Sequence, residues 1–251
     1  MNWLGEALTA IVDSERNTDC KFIINDKVYL GHKLIFSCAS EVFERMCYGN
    51  FTEGTTGEIK LTDVEPETFV MFRNFIYSGD SEIKCDDVEQ IIKLLEFGHK
   101  YLVSSIKDAC VDKLRNRLTR CNVIELLAIY QCSHVLSCSS LFIKVNSYLK
   151  GEAREIVNQA TIFDFPVHTF KNLIIVLKGC IPELNRFQLI EKYLNLHDKP
   201  EIQSHKKLFL DLISFEKFTP KNFYNGPGKS KLLDLQRKYE LMYSIAKARH
   251  Y

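Results

Sequence analysis

The chain has 251 residues, of which 26% are charged and 46% hydrophobic, and its net charge is +1. A composition this close to the globular average excludes a disordered chain, and near-neutrality gives no general electrostatic case for nucleic acid or an anionic membrane. No apolar run reaches the roughly 18 residues of a membrane span, and Glu6 and Asp13 interrupt the first apolar stretch, which therefore does not read as a secretory leader.

Residues 3–12 place Trp3, Leu4, Ala7, Leu8, Ile11 and Val12 at helical spacing. Cys20-Lys21-Phe22-Ile23-Ile24 and Lys27-Val28-Tyr29-Leu30 then predict two strands, joined by an Asn25-Asp26 turn into a hairpin. Residues 32–39 and 40–47 read as short helices, the second capped by Ser40. Residues 49–57 read as a Gly/Thr-rich loop, and Glu58-Ile59-Lys60-Leu61 as a third strand.

Beyond residue 62 the pattern is helical. Pro66 suits a first helical position, with Phe69, Phe72 and Ile76 following; Asp86 is expected to start the next helix. Further stripes continue to a last helix with Leu232, Leu235, Tyr239, Met242 and Ile245 on its buried face, after the turn Asn225-Gly226-Pro227-Gly228. Paired helices with short connections predict a helical stack.

The order of these elements and several spaced motifs resemble the BTB/POZ domain. They are Asp19 and Gly31-His32-Lys33; Phe43, Met46 and Tyr48-Gly49; Ile59-Lys60-Leu61, Val64, Pro66 and Phe69; Phe75 and Tyr77-Ser78; and Lys100-Tyr101-Leu102. Residues from about 121 to 198 resemble the BACK domain, with Phe187, Ile190-Glu191 and Tyr193-Leu194 matching a helix that usually ends in tryptophan, absent here. Phe223, Asn225-Gly226-Pro227, Ser230 and Leu232-Leu233 are similar to the C-terminal signature of the BTBD subfamily. The resemblance implies an α+β chain: a BTB/POZ fold (small β-sheet flanked by helices) over 1–118, an all-α BACK bundle over 119–216 and a helical extension over 217–251.

That family implies a substrate-recruiting adaptor of a cullin-3 RING ubiquitin ligase that forms a homodimer and carries an unidentified client; the alternative is a dimerising scaffold or transcriptional co-regulator outside the ubiquitin pathway. The usual Kelch or PHR module for client capture has no counterpart in the sequence. Phe51-Thr52-Glu53 matches the family's cullin-docking motif, an apolar anchor with a glutamate two residues on, and Tyr77 matches a tyrosine near the same surface. For dimerisation the resemblance points to Trp3, Leu4, Leu8 and Ile11, with Asp19 and Lys33 as a charged pair at the interface. Each has a plainer reading. The first helix folds back on its own domain, Asp19 caps a turn, Phe51 tucks into its own core, or Tyr77 closes a packed helix.

Catalytic signatures are missing, including a nucleophile elbow, a P-loop and a zinc-protease helix, so no enzyme activity and no cofactor are expected. Cys132, His134 and Cys138 form only a loose metal-like set and read as core, and His32 reads as structural. The nine cysteines are odd in number and irregularly spaced, read as buried thiols in a reducing compartment. The expected location is the cytoplasm or the nucleus, with no nucleic acid and no membrane partner.

Overall fold

The computed structural model describes residues 3–78 and 83–247. The chain divides into two compact units, one running to Arg120 and including Leu136–Leu141, the other Cys121–Val135 with the chain from Phe142 onward.

The first unit opens with α1 (Trp3–Asp13), then the hairpin β1 (Cys20–Ile24) and β2 (Lys27–Gly31). Asn25 and Asp26 both adopt positive φ, 45° and 64°, as a tight turn between twisted strands requires. Helices α2 (Lys33–Ala39), α3 (Glu41–Tyr48) and α4 (Thr52–Thr56) lead to β3 (Glu58–Lys60), followed by α5 (Pro66–Ser78), α6 (Val88–Lys100) and α7 (Ser104–Arg117). The sheet order is β2-β1-β3, with β2 antiparallel and β3 parallel to β1. Cys20, Phe22 and Ile24 alternate inward along β1. Phe22 meets Phe36 at 4.2 Å and Phe69 at 5.0 Å between ring centroids, and Phe72 meets Phe97 at 4.7 Å, so α2, α5 and α6 close on the sheet through aromatic rings.

Caps fix where these helices begin. Ser40 Oγ accepts from Val42 N at 3.0 Å while donating to the Tyr101 carbonyl, which ties the start of α3 to the end of α6. Two boundaries differ from expectation. Asp87, not Asp86, caps α6, accepting from Gln90 N at 3.1 Å; Asp86 instead pairs with Lys113 at 2.9 Å and Arg117 at 3.0 Å. The stretch 49–57 is not simply loop, because α4 forms inside it.

The second unit is built of α8 (Val123–Val135), α9 (Ser139–Gly151), whose first residues belong to the first unit, α10 (Ala153–Ile156), α11 (Val167–Val176), α12 (Glu183–Leu196), α13 (Pro200–Gln203), α14 (Lys206–Leu210), α15 (Pro220–Asn225) and α16 (Leu235–Lys247). Its core includes a stacked pair, Phe170 and Tyr193, at 3.9 Å. Arg186 lies within that core: it donates to both Glu183 oxygens at 2.8 and 2.9 Å and to the Ile174 carbonyl at 3.0 and 3.1 Å. Glu183 also accepts from Ser214 N at 3.2 Å, pinning the 211–216 segment to α12.

The last helix corrects the expected stripe. Leu241 and Ile245 are buried, whereas Leu235 and Tyr239 are 69% exposed. Two apolar stripes run along α16: Leu241 and Ile245 pack inward, while Leu235, Tyr239 and Tyr243 form the exposed one, where the tyrosines keep their polar tips in water. The cysteines also depart from a uniformly buried set: Cys20, Cys47, Cys110, Cys132 and Cys138 are buried, Cys38 is exposed, and Cys85, Cys121 and Cys180 lie between. No helix among the described residues is long and apolar enough to cross a membrane.

Candidate functional site

The exposed surface around Phe51 is assembled from α2, α3 and α4. After α3 the chain turns at Gly49, whose N–H donates to the Arg45 carbonyl at 2.9 Å. A Cβ at Gly49 would lie 2.3 Å from that carbonyl oxygen and 3.2 Å from Phe51 Cδ2, so only glycine admits both the turn and the ring beside it. Gly54 is restricted for the same reason, since a Cβ there would meet the Gly49 oxygen at 2.4 Å. Phe51 precedes α4 in extended backbone, and Gly54 N donates to its carbonyl at 3.1 Å. Thr56 Oγ1 closes the turn on Thr52 O at 3.0 Å, and Gly57 ends α4 at φ 70°.

A five-residue helix has no stability of its own. Lys33 holds it from α2, its ammonium donating to the Gly54 carbonyl at 2.9 Å near the C-terminal end of α4, where a cation is favoured. The same ammonium sits 5.9 Å from the Tyr48 ring centroid. The Phe51 ring is left 60% exposed, and Leu34 on α2 and Tyr48 on α3 are exposed as well. Phe51 does not tuck into its own core, and Glu53 is half-buried on the first turn of α4.

Tyr77 is placed differently from its expected role. Its ring is 1% exposed, so it has no face to offer a partner. Its hydroxyl accepts from His32 N at 2.9 Å and donates to His32 Nδ1 at 2.8 Å, while His32 Nε2 donates to the Arg16 carbonyl at 2.7 Å. Those bonds fix the histidine tautomer and make His32 the structural residue its position suggested. Burial pushes the Tyr77 phenol up to about 12, against the opposing His32 backbone bond.

Asp19 and Lys33 are brought together, but not as a side-chain ion pair. Asp19 Oδ1 accepts from the Lys33 backbone N–H at 2.7 Å, satisfying an orphan donor at the start of α2, while the Lys33 side chain turns to α4. The capping reading of Asp19 therefore describes its contact in this chain. Helix α1 lies along α5 of its own chain. Its outer residues Trp3 and Ile11 are 70% and 36% exposed, Leu8 is half-buried, and the side chain of Leu4 lies outside what the structure describes. A cavity of about 420 Å³ beside it, lined by Thr9, Asp13, Met71, Asn74 and Phe75, leaves that packing incomplete.

The loose metal-like set resolves into core and hydrogen bonding. His134 meets Thr169 Oγ1 at 2.9 Å and Asn172 Nδ2 at 2.7 Å, and burial, with His168 nearby, lowers its pKa. Sequence reasoning overlooked Gly49 and Gly54 as supports and misjudged the target of Lys33. The glycine spacing around Phe51 was the available signal for the first; nothing local to Lys33 signalled the second.

The BTB/POZ domain family matches residues 8–118, the segment that carries the hairpin, α2 to α7 and the Phe51 surface. This segment is a BTB/POZ domain. Kelch-like protein 41 of Homo sapiens is 23% identical over 247 residues, 95% of this chain and 39% of its own length. Kelch-like protein 40a of Danio rerio is 27% identical over 146 residues, 58% of this chain and 23% of its own. BTB/POZ domain-containing protein 9 of Homo sapiens is 22% identical over 185 residues, covering 73% of this chain and 30% of that protein. The chain thus spans well under half of each relative. Among solved structures, the BTB domain of zebrafish PATZ1 aligns with a TM-score of 0.38 and 17% identity over 45% of this chain and 90% of that one. The BTB/POZ domain and the helices that follow it give an α+β chain.

Proposed function

We propose that this protein is a substrate-recruiting adaptor of a cullin-3 RING ubiquitin ligase. The BTB/POZ domain docks on the scaffold through Phe51 and Glu53, and α1 pairs with a second copy. The observation that carries the reading is the Phe51 ring, 60% exposed on a turn that Gly49, Gly54 and Lys33 hold in place. An exposed aromatic on a pre-organised turn is the kind of anchor in which interfaces concentrate their energy. Glu53 supplies a carboxylate two residues away, on a half-buried residue in the first turn of α4.

Pairing rests on α1. The helix lies along α5 of its own chain, and its outward Trp3 and Ile11 gain from cover by another protomer. The role asked of such a protein needs no catalytic side chain. Holding a client beside a charged conjugating enzyme turns a bimolecular transfer into an effectively intramolecular one, and two copies add avidity.

A pull-down with purified cullin-3 tests the reading. Wild type binds, and Phe51→Asp and Glu53→Lys do not. A wild-type chain that shows no interaction at micromolar concentration leaves the dimerising scaffold or transcriptional co-regulator in its place.

A further inference from the structure

The near-neutral total hides an uneven distribution of charge. Residues 1–198 hold 22 Lys and Arg against 27 Asp and Glu, a net −5, whereas residues 199–251 hold 11 against 5, a net +6. Inside the basic stretch the helical unit has a groove of about 920 Å³, between α13–α14, the 211–216 segment and α16. That is the size range in which ligand sites fall.

The groove combines two kinds of wall. Ile213, Phe215, Leu232, Leu233 and Leu241 supply apolar surface from side chains that are otherwise well packed. Lys206, Lys207, Lys231 and Arg237 supply positive charge. Among the described residues no carboxylate is paired with any of the three lysines, while Arg237 is held by Glu240 at 3.2 Å. Three acids share the lining. Asp234 is committed to α16, its Oδ1 accepting from Arg237 N at 2.7 Å, which leaves Asp211 and Glu216 against the three lysines.

We infer that this groove binds an acidic peptide segment bearing aliphatic side chains, and that this is how the adaptor holds its client. The inference rests on the adaptor reading above for the word client, but not for the binding itself. Carboxylates relieve the repulsion among unpaired ammonium groups, and leucine-like side chains fit an aliphatic floor. Single-stranded nucleic acid satisfies only the first demand, because base recognition relies on exposed aromatic faces, and among the described residues the one aromatic ring in the lining, Phe215, is 8% exposed.

The test is fluorescence anisotropy with the full chain and a short fluorescein-labelled peptide of Asp, Glu and Leu. Parallel arms use its Asn/Gln/Leu counterpart, a single-stranded oligonucleotide and phosphatidylserine vesicles. The acidic peptide is expected to bind best, with an affinity that falls as salt rises. Lys206→Glu/Lys207→Glu/Lys231→Glu is expected to weaken it about tenfold, whereas Lys199→Glu/Lys221→Glu/Lys229→Glu, the same charge change elsewhere, leaves it unaltered. Should the first variant unfold by circular dichroism, Lys206→Gln/Lys231→Gln is read in its place. Equal loss in both triple variants, equal binding of the neutral peptide, tighter binding of oligonucleotide or vesicle, or no binding at all overturns the inference. Cullin-3 binding without peptide binding removes the groove and spares the adaptor reading; peptide binding without cullin-3 binding does the reverse.

Discussion

Arg186→Met removes a guanidinium that is 0% exposed and leaves its partners in place. The Glu183 side chain is 8% exposed, so its carboxyl group is left poorly solvated, with the Ser214 N–H at 3.2 Å as its remaining donor among the described residues. The Ile174 carbonyl loses both of its guanidinium donors. Breaking a buried pair from one side typically costs about 3–5 kcal/mol, and an orphaned carbonyl adds about 1 kcal/mol or more. Methionine refills most of the volume, so the expected loss for the helical unit is about 4 kcal/mol, a fall of roughly 2 M in the urea midpoint. Glu183→Gln/Arg186→Met removes the stranded charge and keeps an acceptor for Ser214, and it is expected to lose only about half as much. Far-UV circular dichroism against urea reads both. A single variant that loses less than about 1 kcal/mol, or a double variant worse than the single, refutes the reasoning. The pair also pins the segment that carries Ile213 and Phe215, so the single variant is expected to weaken peptide binding in the groove.

Other outcomes follow from the BTB/POZ domain. Tyr77, with a phenol raised from 10.0 to about 12 in the folded chain, favours the folded state fully below pH 10. The unfolded chain releases that proton first, so stability falls by up to about 2–3 kcal/mol as pH climbs from 10 toward 12; Tyr77→Phe is expected to flatten that part of a midpoint-versus-pH curve, and an unchanged slope counts against the buried phenol. Gly54→Ala puts a methyl 2.4 Å from the Gly49 oxygen, and it is expected to displace α4 and weaken cullin-3 binding; crystallography or proton chemical shifts of 49–57 would show the displacement. Trp3 is the single tryptophan and sits exposed on α1, so its emission is expected to shift to the blue as concentration drives pairing. Leu8→Asp abolishes that shift and gives a monomer by light scattering, whereas an unchanged dimer places the interface elsewhere.

Local chemistry made much of the fold legible. Asn25-Asp26 accept positive φ, Ser40 caps α3, and Pro66 opens α5, each for reasons carried by the residue itself. Helix α4 was not legible because its Gly and Thr residues disfavour helix, and its stability comes from a lysine 21 residues away in the chain. Asp19 was legible as a cap, but Lys33 was not legible as a tether to α4, since the direction of its side chain depends on where α4 lies. Phe51 stood out as an apolar residue in a polar loop, and it is exposed; Tyr77 matched a motif, yet the fold spends its hydroxyl on His32. Arg186 was invisible because charged residues on helices usually face water.

Amide hydrogen exchange of the full chain, with and without purified cullin-3, tests the central claim most directly. Protection concentrated in residues 49–57, and lost in Phe51→Asp, is the predicted footprint. Protection confined to other segments, with 49–57 exchanging as in the unbound chain, contradicts it.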